Sequence, residues 1–181
     1  LAVGHQAFGP GPEKFKFLHI KVINKPLKNR FLLRNTATGC KVSMTFDELG
    51  SEKQPVKEEP ARWTAAPEPV SVVASGPGVD LVYDSTKVPF SYKLDVSPDN
   101  GGEFLGIVVK YEGRESAFAF NSDSYIPAPG FDRFCIPRFE LPGEEYRVKI
   151  NVASGGVEDS GIFRLRNRGT SLEDFKLEPW E

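Results

Sequence analysis

The sequence predicts an all-β chain, an antiparallel β-sandwich of about ten short strands at intervals of roughly 8–14 residues. Three observations carry that expectation. Gly 17, Pro 15 and Phe 14 stand beside a single Met, and glycine and proline break helices whereas aromatics favour strands. Short apolar runs alternate with polar residues at the period of two that a half-buried strand imposes. No amphipathic helix separates those runs, and none is continuously apolar, as the strands of a parallel sheet would be.

Residues 1–14 carry Gly4, Gly9 and Gly11 with Pro10 and Pro12, the composition of a flexible or extended lead-in. Residues 15–23 read as the first strand, with Leu18, Ile20 and Val22 on an apolar face and His19 and Lys21 on a wet one. A polar turn around Pro26 follows. Cys40, Val42, Met44 and Phe46 then alternate with Lys41, Ser43 and Thr45, the cleanest pattern of the first half. Over residues 47–69 the pattern dissolves around Pro55, Pro60, Pro67 and Pro69, leaving Arg62-Trp63 as a strand-like kernel. So long a stretch reads as a mobile excursion, a short edge strand over 62–64, or a domain boundary. Residues 70–74 and 79–83 form short strands around the turn Gly76-Pro77-Gly78.

Phe90, Tyr92, Leu94 and Val96 alternate with Ser91, Lys93 and Asp95, and a strand over 104–111 follows Pro98-Asp99-Asn100-Gly101-Gly102. Asn-Gly adopts positive φ at little cost, so the pair reads as a β-hairpin. Glu112-Gly113-Arg114 turns the chain into a strand over 116–120. Residues 132–139 form a strand that Pro137 confines to an edge or a bulge. Tyr146, Val148, Ile150 and Val152 alternate with Arg147, Lys149 and Asn151 before Gly155-Gly156. Strands over 162–166 and 172–177 complete the set. The organisation expected is one sandwich over 15–181. A split near residue 85 into two tandem sandwiches would account for a loose echo between the Arg34-Asn35-Thr36 and Arg166-Asn167-Arg168 segments.

The same residues exclude much chemistry. A formal net charge of −2 lacks the basic surplus of a nucleic-acid footprint. No apolar run approaches the ~20 residues that cross a bilayer. The only histidines are His5 and His19, with no Gly-x-Ser-x-Gly elbow and no cysteine near a histidine, so nucleophilic catalysis has no base. Metal-ligand spacings are absent; Asp99–Glu103 offers oxygens to calcium, but its turn role already explains it. Glu144-Glu145 and Glu158-Asp159 would serve glycoside hydrolysis only if folding set them at the required separation. The expectation is therefore a chain that is not an enzyme and has no cofactor. Cys40 and Cys135 form either one inter-sheet disulfide or two buried thiols acting as small hydrophobes. Lys21, Lys25, Lys28, Arg30 and Arg34 could meet an anionic partner or lipid headgroups, or form a solvated loop.

Binding is the remaining class. Trp63, Tyr125 and Trp180 fall in loop or terminal contexts, where aromatics anchor partners or stack on sugars. Prolines stiffen the backbone around Arg62-Trp63. Arg62, Trp63 and Tyr125 are thus the candidate binding residues for a protein partner, with a carbohydrate as the alternative; Trp63 could instead cap the core. The chain begins at Leu1 without a signal-like start, which leaves the compartment open.

Residues 21–25, Lys-Val-Ile-Asn-Lys, together with the strand Asn35-Thr36-Ala37-Thr38-Gly39-Cys40-Lys41-Val42-Ser43-Met44-Thr45-Phe46, resemble the opening of immunoglobulin-like (Ig-like) sandwich domains of the CARDB type. Arg62-Trp63 with Pro67-Glu68-Pro69, and the ending Phe163-Arg164-Leu165-Arg166-Asn167-Arg168-Gly169, are similar to a family of uncharacterised, mostly archaeal proteins that often carry an upstream membrane segment. The likeness spans most of residues 15–177 and brings no catalytic residue. It implies a non-enzymatic Ig-like β-sandwich, tethered to a membrane through an N-terminal extension.

Overall fold

The computed structural model describes residues 2–5, 14–25, 35–50, 56–75, 78–126 and 133–180. Among them lie fourteen strands: β1 Ala2–His5, β2 Phe15–Val22, β3 Ala37–Glu48, β4 Val56–Pro60, β5 Arg62–Trp63, β6 Val70–Ser75 and β7 Gly78–Tyr83 in the first part. The rest are β8 Leu94–Val96, β9 Glu103–Tyr111, β10 Ala117–Ala119, β11 Glu140–Leu141, β12 Glu145–Ser154, β13 Val157–Asn167 and β14 Phe175–Pro179. They build two six-stranded antiparallel sheets and one two-stranded ribbon, β6-β7. The first sheet runs β1-β2-β9-β10-β11 with β5 beside β9; the second runs β14-β13-β12-β3-β4 with β8 beside β3. The chain is an all-β sandwich. β2 pairs β9 and β3 pairs β12, so strands from both sides of residue 85 share each sheet.

The second sheet follows its alternation directly. Cys40, Val42, Met44 and Phe46 of β3, and Tyr146, Val148 and Ile150 of β12, point inward, while Lys41, Arg147 and Lys149 face solvent. A one-residue slip would invert every one of these, so the buried face fixes the register, which runs from Tyr146↔Glu48 to Ala153↔Lys41. Gly155 and Gly156, at φ 57° and 82°, close the β12–β13 hairpin in a two-residue turn whose positive φ values match strand twist. Against this sheet pack Leu18, Ile20, Leu105 and Ile107 of the first.

The first sheet is apolar on both faces. Residues 105–111 of β9 are buried throughout, and a bulge between Leu18 and His19 leaves Ile107 as the extra residue opposite β2. Its outer face carries a second, aromatic layer of Phe17, Tyr111, Phe118, Phe120, Tyr125 and Phe134, flanked by Phe15. Ring centroids lie 4.7 Å apart for Phe17–Phe120 and 5.1 Å for Tyr125–Phe134, both edge-on, the arrangement that ring quadrupoles favour. The ring of Phe120 occupies the space above Gly106, where a Cβ would lie 2.7 Å from its Cδ1. Cys40 belongs to the inter-sheet layer and Cys135 to the aromatic layer; both are buried and no disulfide joins them.

Several segments depart from their sequence reading. Residues 2–5 are not lead-in but an edge strand, because an edge needs only backbone partners; residues 6–13 lie outside the described residues. Within 47–69, β4 pairs β3 in the second sheet and β5 pairs β9 in the first. Ala61, fully buried between them, donates its N–H to Val42 O at 2.9 Å; its methyl is small enough to pass between two packed walls. Ser85–Ser91 is a 3-10 helix rather than the start of a strand. The Asp84 carboxylate accepts from Thr86 N at 3.1 Å and from Thr86 Oγ1, a local bond that competes with the ladder, and Phe90 is left 66% exposed.

The Asn100-Gly101 turn does not close a hairpin: β8 pairs β3 and β9 pairs β2, so residues 97–102 carry the chain from one sheet to the other. Gly102 makes that passage at φ 100°, with Val22 O only 2.5 Å from where a Cβ would sit. Of residues 132–139, residue 132 lies outside the described set. Phe134 takes φ 68° and Pro137–Phe139 form a 3-10 turn, since Pro137 cannot donate to a ladder.

Two lysines turn inward at one end of the sandwich. Lys16 and Lys110 sit opposite each other in the β2–β9 register and both are buried. Lys16 Nζ donates to Leu172 O at 3.0 Å and Phe175 O at 2.9 Å. Lys110 Nζ donates to Asn167 Oδ1 and Gly169 O, each at 2.7 Å, and to Glu115 O at 3.3 Å. Burial lowers both lysine pKa values; Lys176 lowers that of Lys16 further, whereas Glu115 opposes the shift at Lys110.

Candidate functional site

The other end of the sandwich is open. There the end of β2, the β3–β8 pairing and the β12–β13 hairpin line a cleft of about 940 Å³. Its floor is the buried end of the inter-sheet core, Val22, Cys40, Val96 and Ile150, with the partly buried Ala37 and Val152 at its sides. The walls are held by side-chain-to-backbone bonds. Asn24 Nδ2 donates to Asn35 O at 2.9 Å and Val96 O at 3.0 Å, joining β2, β3 and β8. Ser154 Oγ donates to Thr38 O at 2.9 Å, and Gly39 N to Asp95 Oδ1 at 2.7 Å. Around the mouth stand Thr36, Lys25, Glu158, Asp159 and Ser160. Val157, at the hairpin tip, is 72% exposed, and Ile23 lies on the opposite lip.

An apolar floor under a polar rim suits a concave binding site, in which burial supplies affinity and the rim sets orientation. No histidine lines this cleft. The described carboxyls with resolved shifts are pushed the wrong way for an acid. Asp84 is held below the usual range by hydrogen bonds from Thr86 and Ser71, and Glu145 by its bond from Arg164, with Arg168 adding to it. Glu145 is thereby committed to two guanidinium groups. Among the described residues no cluster of His, Cys, Asp or Glu could hold a metal ion, and no helix is long and apolar enough to cross a membrane.

The structure places all three sequence candidates inside the protein. Trp63 is 0% exposed, part of the inter-sheet core, with Nε1 donating to Cys40 O at 3.1 Å. Arg62 is buried and clamps its own loop, donating from Nη1 to Trp63 O and from Nη2 to Ala66 O and Pro67 O, all at 2.8 Å. Tyr125 lies under the guanidinium groups of Arg62 and Arg133, each 5.4 Å from the ring centroid. Its hydroxyl donates to Glu68 Oε1 at 3.3 Å, and burial above all pushes its pKa up to about 12. Arg62 and Tyr125 are thus brought together, while Trp63 faces the other layer. Of the basic cluster, Lys28, Arg30 and Arg34 lie outside the described residues.

The cleft residues carried no sequence signal. Ser154 lies more than a hundred residues from Asn24 and Thr38, and the β3–β12 pairing brings it beside Thr38. Comparison with protein-family models, with curated proteins and with solved structures finds no match for this chain.

Proposed function

We propose that the protein is a non-enzymatic binding module whose open sandwich end receives an apolar side chain or short segment of a protein partner. The observation supporting this is the 940 Å³ cleft with its apolar floor, flanked by the exposed Val157 and Ile23. Two exposed aliphatic side chains on opposite lips of an apolar cleft extend its floor outward, which favours an apolar anchor with a polar surround. The carbohydrate alternative draws no support, because Trp63 and Tyr125 present no open ring face to a sugar.

A library of displayed random peptides, selected against the intact protein, tests the reading. Selected peptides should share an aromatic or branched aliphatic anchor. Their affinity should fall at least tenfold, about 1.4 kcal/mol, in a Val157→Asp, Ile23→Asp double variant. It should be unchanged in Lys176→Glu, on the outer face of the second sheet. Peptides that bind the double variant as well as the parent would refute the assignment.

A further inference from the structure

At the end of the sandwich away from the cleft, Lys110 and Asn167 bring a buried amine into contact with a carboxamide. Lys110 is fully buried on the first sheet, Asn167 is buried on the second, and Nζ stands 2.7 Å from Oδ1. We infer that these two side chains close an amide cross-link between the sheets. This stands independently of the binding function proposed for the cleft.

The surroundings support the chemistry at each atom. Burial favours the neutral amine, the nucleophilic form, and the phenyl ring of Phe175, with its centroid 5.8 Å from Nζ, forms part of the apolar surroundings. The Glu115 charge acts on this amine and opposes the shift, while its backbone O accepts from Nζ at 3.3 Å. Asn167 is oriented unambiguously: Oδ1 faces Nζ, and Nδ2 donates to Glu115 O at 3.0 Å, Leu141 O at 3.2 Å and Gly143 O at 2.9 Å. Three carbonyl oxygens therefore converge on the nitrogen that must leave.

In the reaction Nζ gives up a proton and its lone pair attacks Cγ of Asn167. The Nζ–Cγ bond forms, the Cγ–Nδ2 bond breaks, and Nδ2 departs as ammonia, taking up a proton lost by Nζ. No oxidant, reductant or further reactant enters. Lys16 takes no part, because its two acceptors are backbone carbonyls.

Mass spectrometry of the purified, denatured full chain decides the matter. The expected result is a mass lower than that of the sequence by one ammonia, with proteolysis yielding a branched peptide that joins the Lys110 and Asn167 segments. Lys110→Arg, which keeps the charge, should restore the full sequence mass. Asn167→Asp should lose one water relative to its own sequence and give the same branched peptide. The full sequence mass in the unsubstituted chain overturns the inference. So does an ammonia deficit without the branched peptide, which marks a cyclised asparagine, or a deficit that persists in Lys110→Arg.

Discussion

Replacing Trp63 by alanine tests the central packing claim. A buried aromatic of this size covers roughly 150–250 Å², worth about 4–6 kcal/mol at 25 cal/mol per Å². Part of that is retained by the alanine and by collapse of the site, so the truncation itself should cost about 3–5 kcal/mol. Cys40 O also loses its Nε1–H donor, adding about 1 kcal/mol. The sum, about 4–6 kcal/mol, is a large share of the roughly 5–15 kcal/mol that stabilises a typical domain. Urea unfolding followed by far-ultraviolet circular dichroism reads it. With a slope near 2 kcal/mol/M, the midpoint should fall by about 2–3 M. Trp63→Phe keeps most of the apolar bulk and should lose about 1–3 kcal/mol, about 1 of it from the lost Nε1–H bond to Cys40 O and the rest from the smaller ring. A loss below about 1.5 kcal/mol for Trp63→Ala would refute the placement of this ring between the sheets.

Gly102→Ala forces a left-handed conformation on alanine and drives its Cβ toward Val22 O; it should cost roughly 2–3 kcal/mol and lower the melting temperature by about 4–12 °C. Arg147 ion-pairs with Asp47 while half exposed, so Arg147→Ala should change stability by less than about 1 kcal/mol, and by less still in high salt. The Glu145 pKa is depressed below its ordinary 4.5 by the Arg164 bond first and Arg168 after it. Its contribution is thus fully present above pH 4.5 and is lost as the pH falls toward the folded-state value. Unfolding curves across that acid range should show Glu145→Gln with a shallower loss of stability than the parent; equal slopes would remove the ion pair from the account.

What was legible in the sequence follows from how many faces a strand buries. β3 and β12 each bury one face, and their alternation named the inward residues correctly. β9 buries both, so its pattern showed a strand but not the aromatic layer over it. Lys16 and Lys110 occupy inward positions that a hydropathy pattern assigns to solvent; acceptors on β13, β14 and the loops beside them satisfy their amines. The glycines at 101 and 102 announced a turn, yet turn chemistry is silent on whether the next strand joins the same sheet. Arg62-Trp63 was recognised as a strand kernel, but its burial depends on Ala61 leading the chain between the walls, a long-range fact. The cleft is the extreme case, assembled from strand ends that meet only in the finished sandwich.

The separation of Cys40 from Cys135 turns the chain into a reporter of its own opening. A maleimide added to the native protein reaches a sulfur only when the layer above it parts, so the two alkylation rates time two different events. Faster modification at Cys135 would mean that the aromatic cover peels away while the sheets stay clasped; matched rates would mean that both layers come apart together.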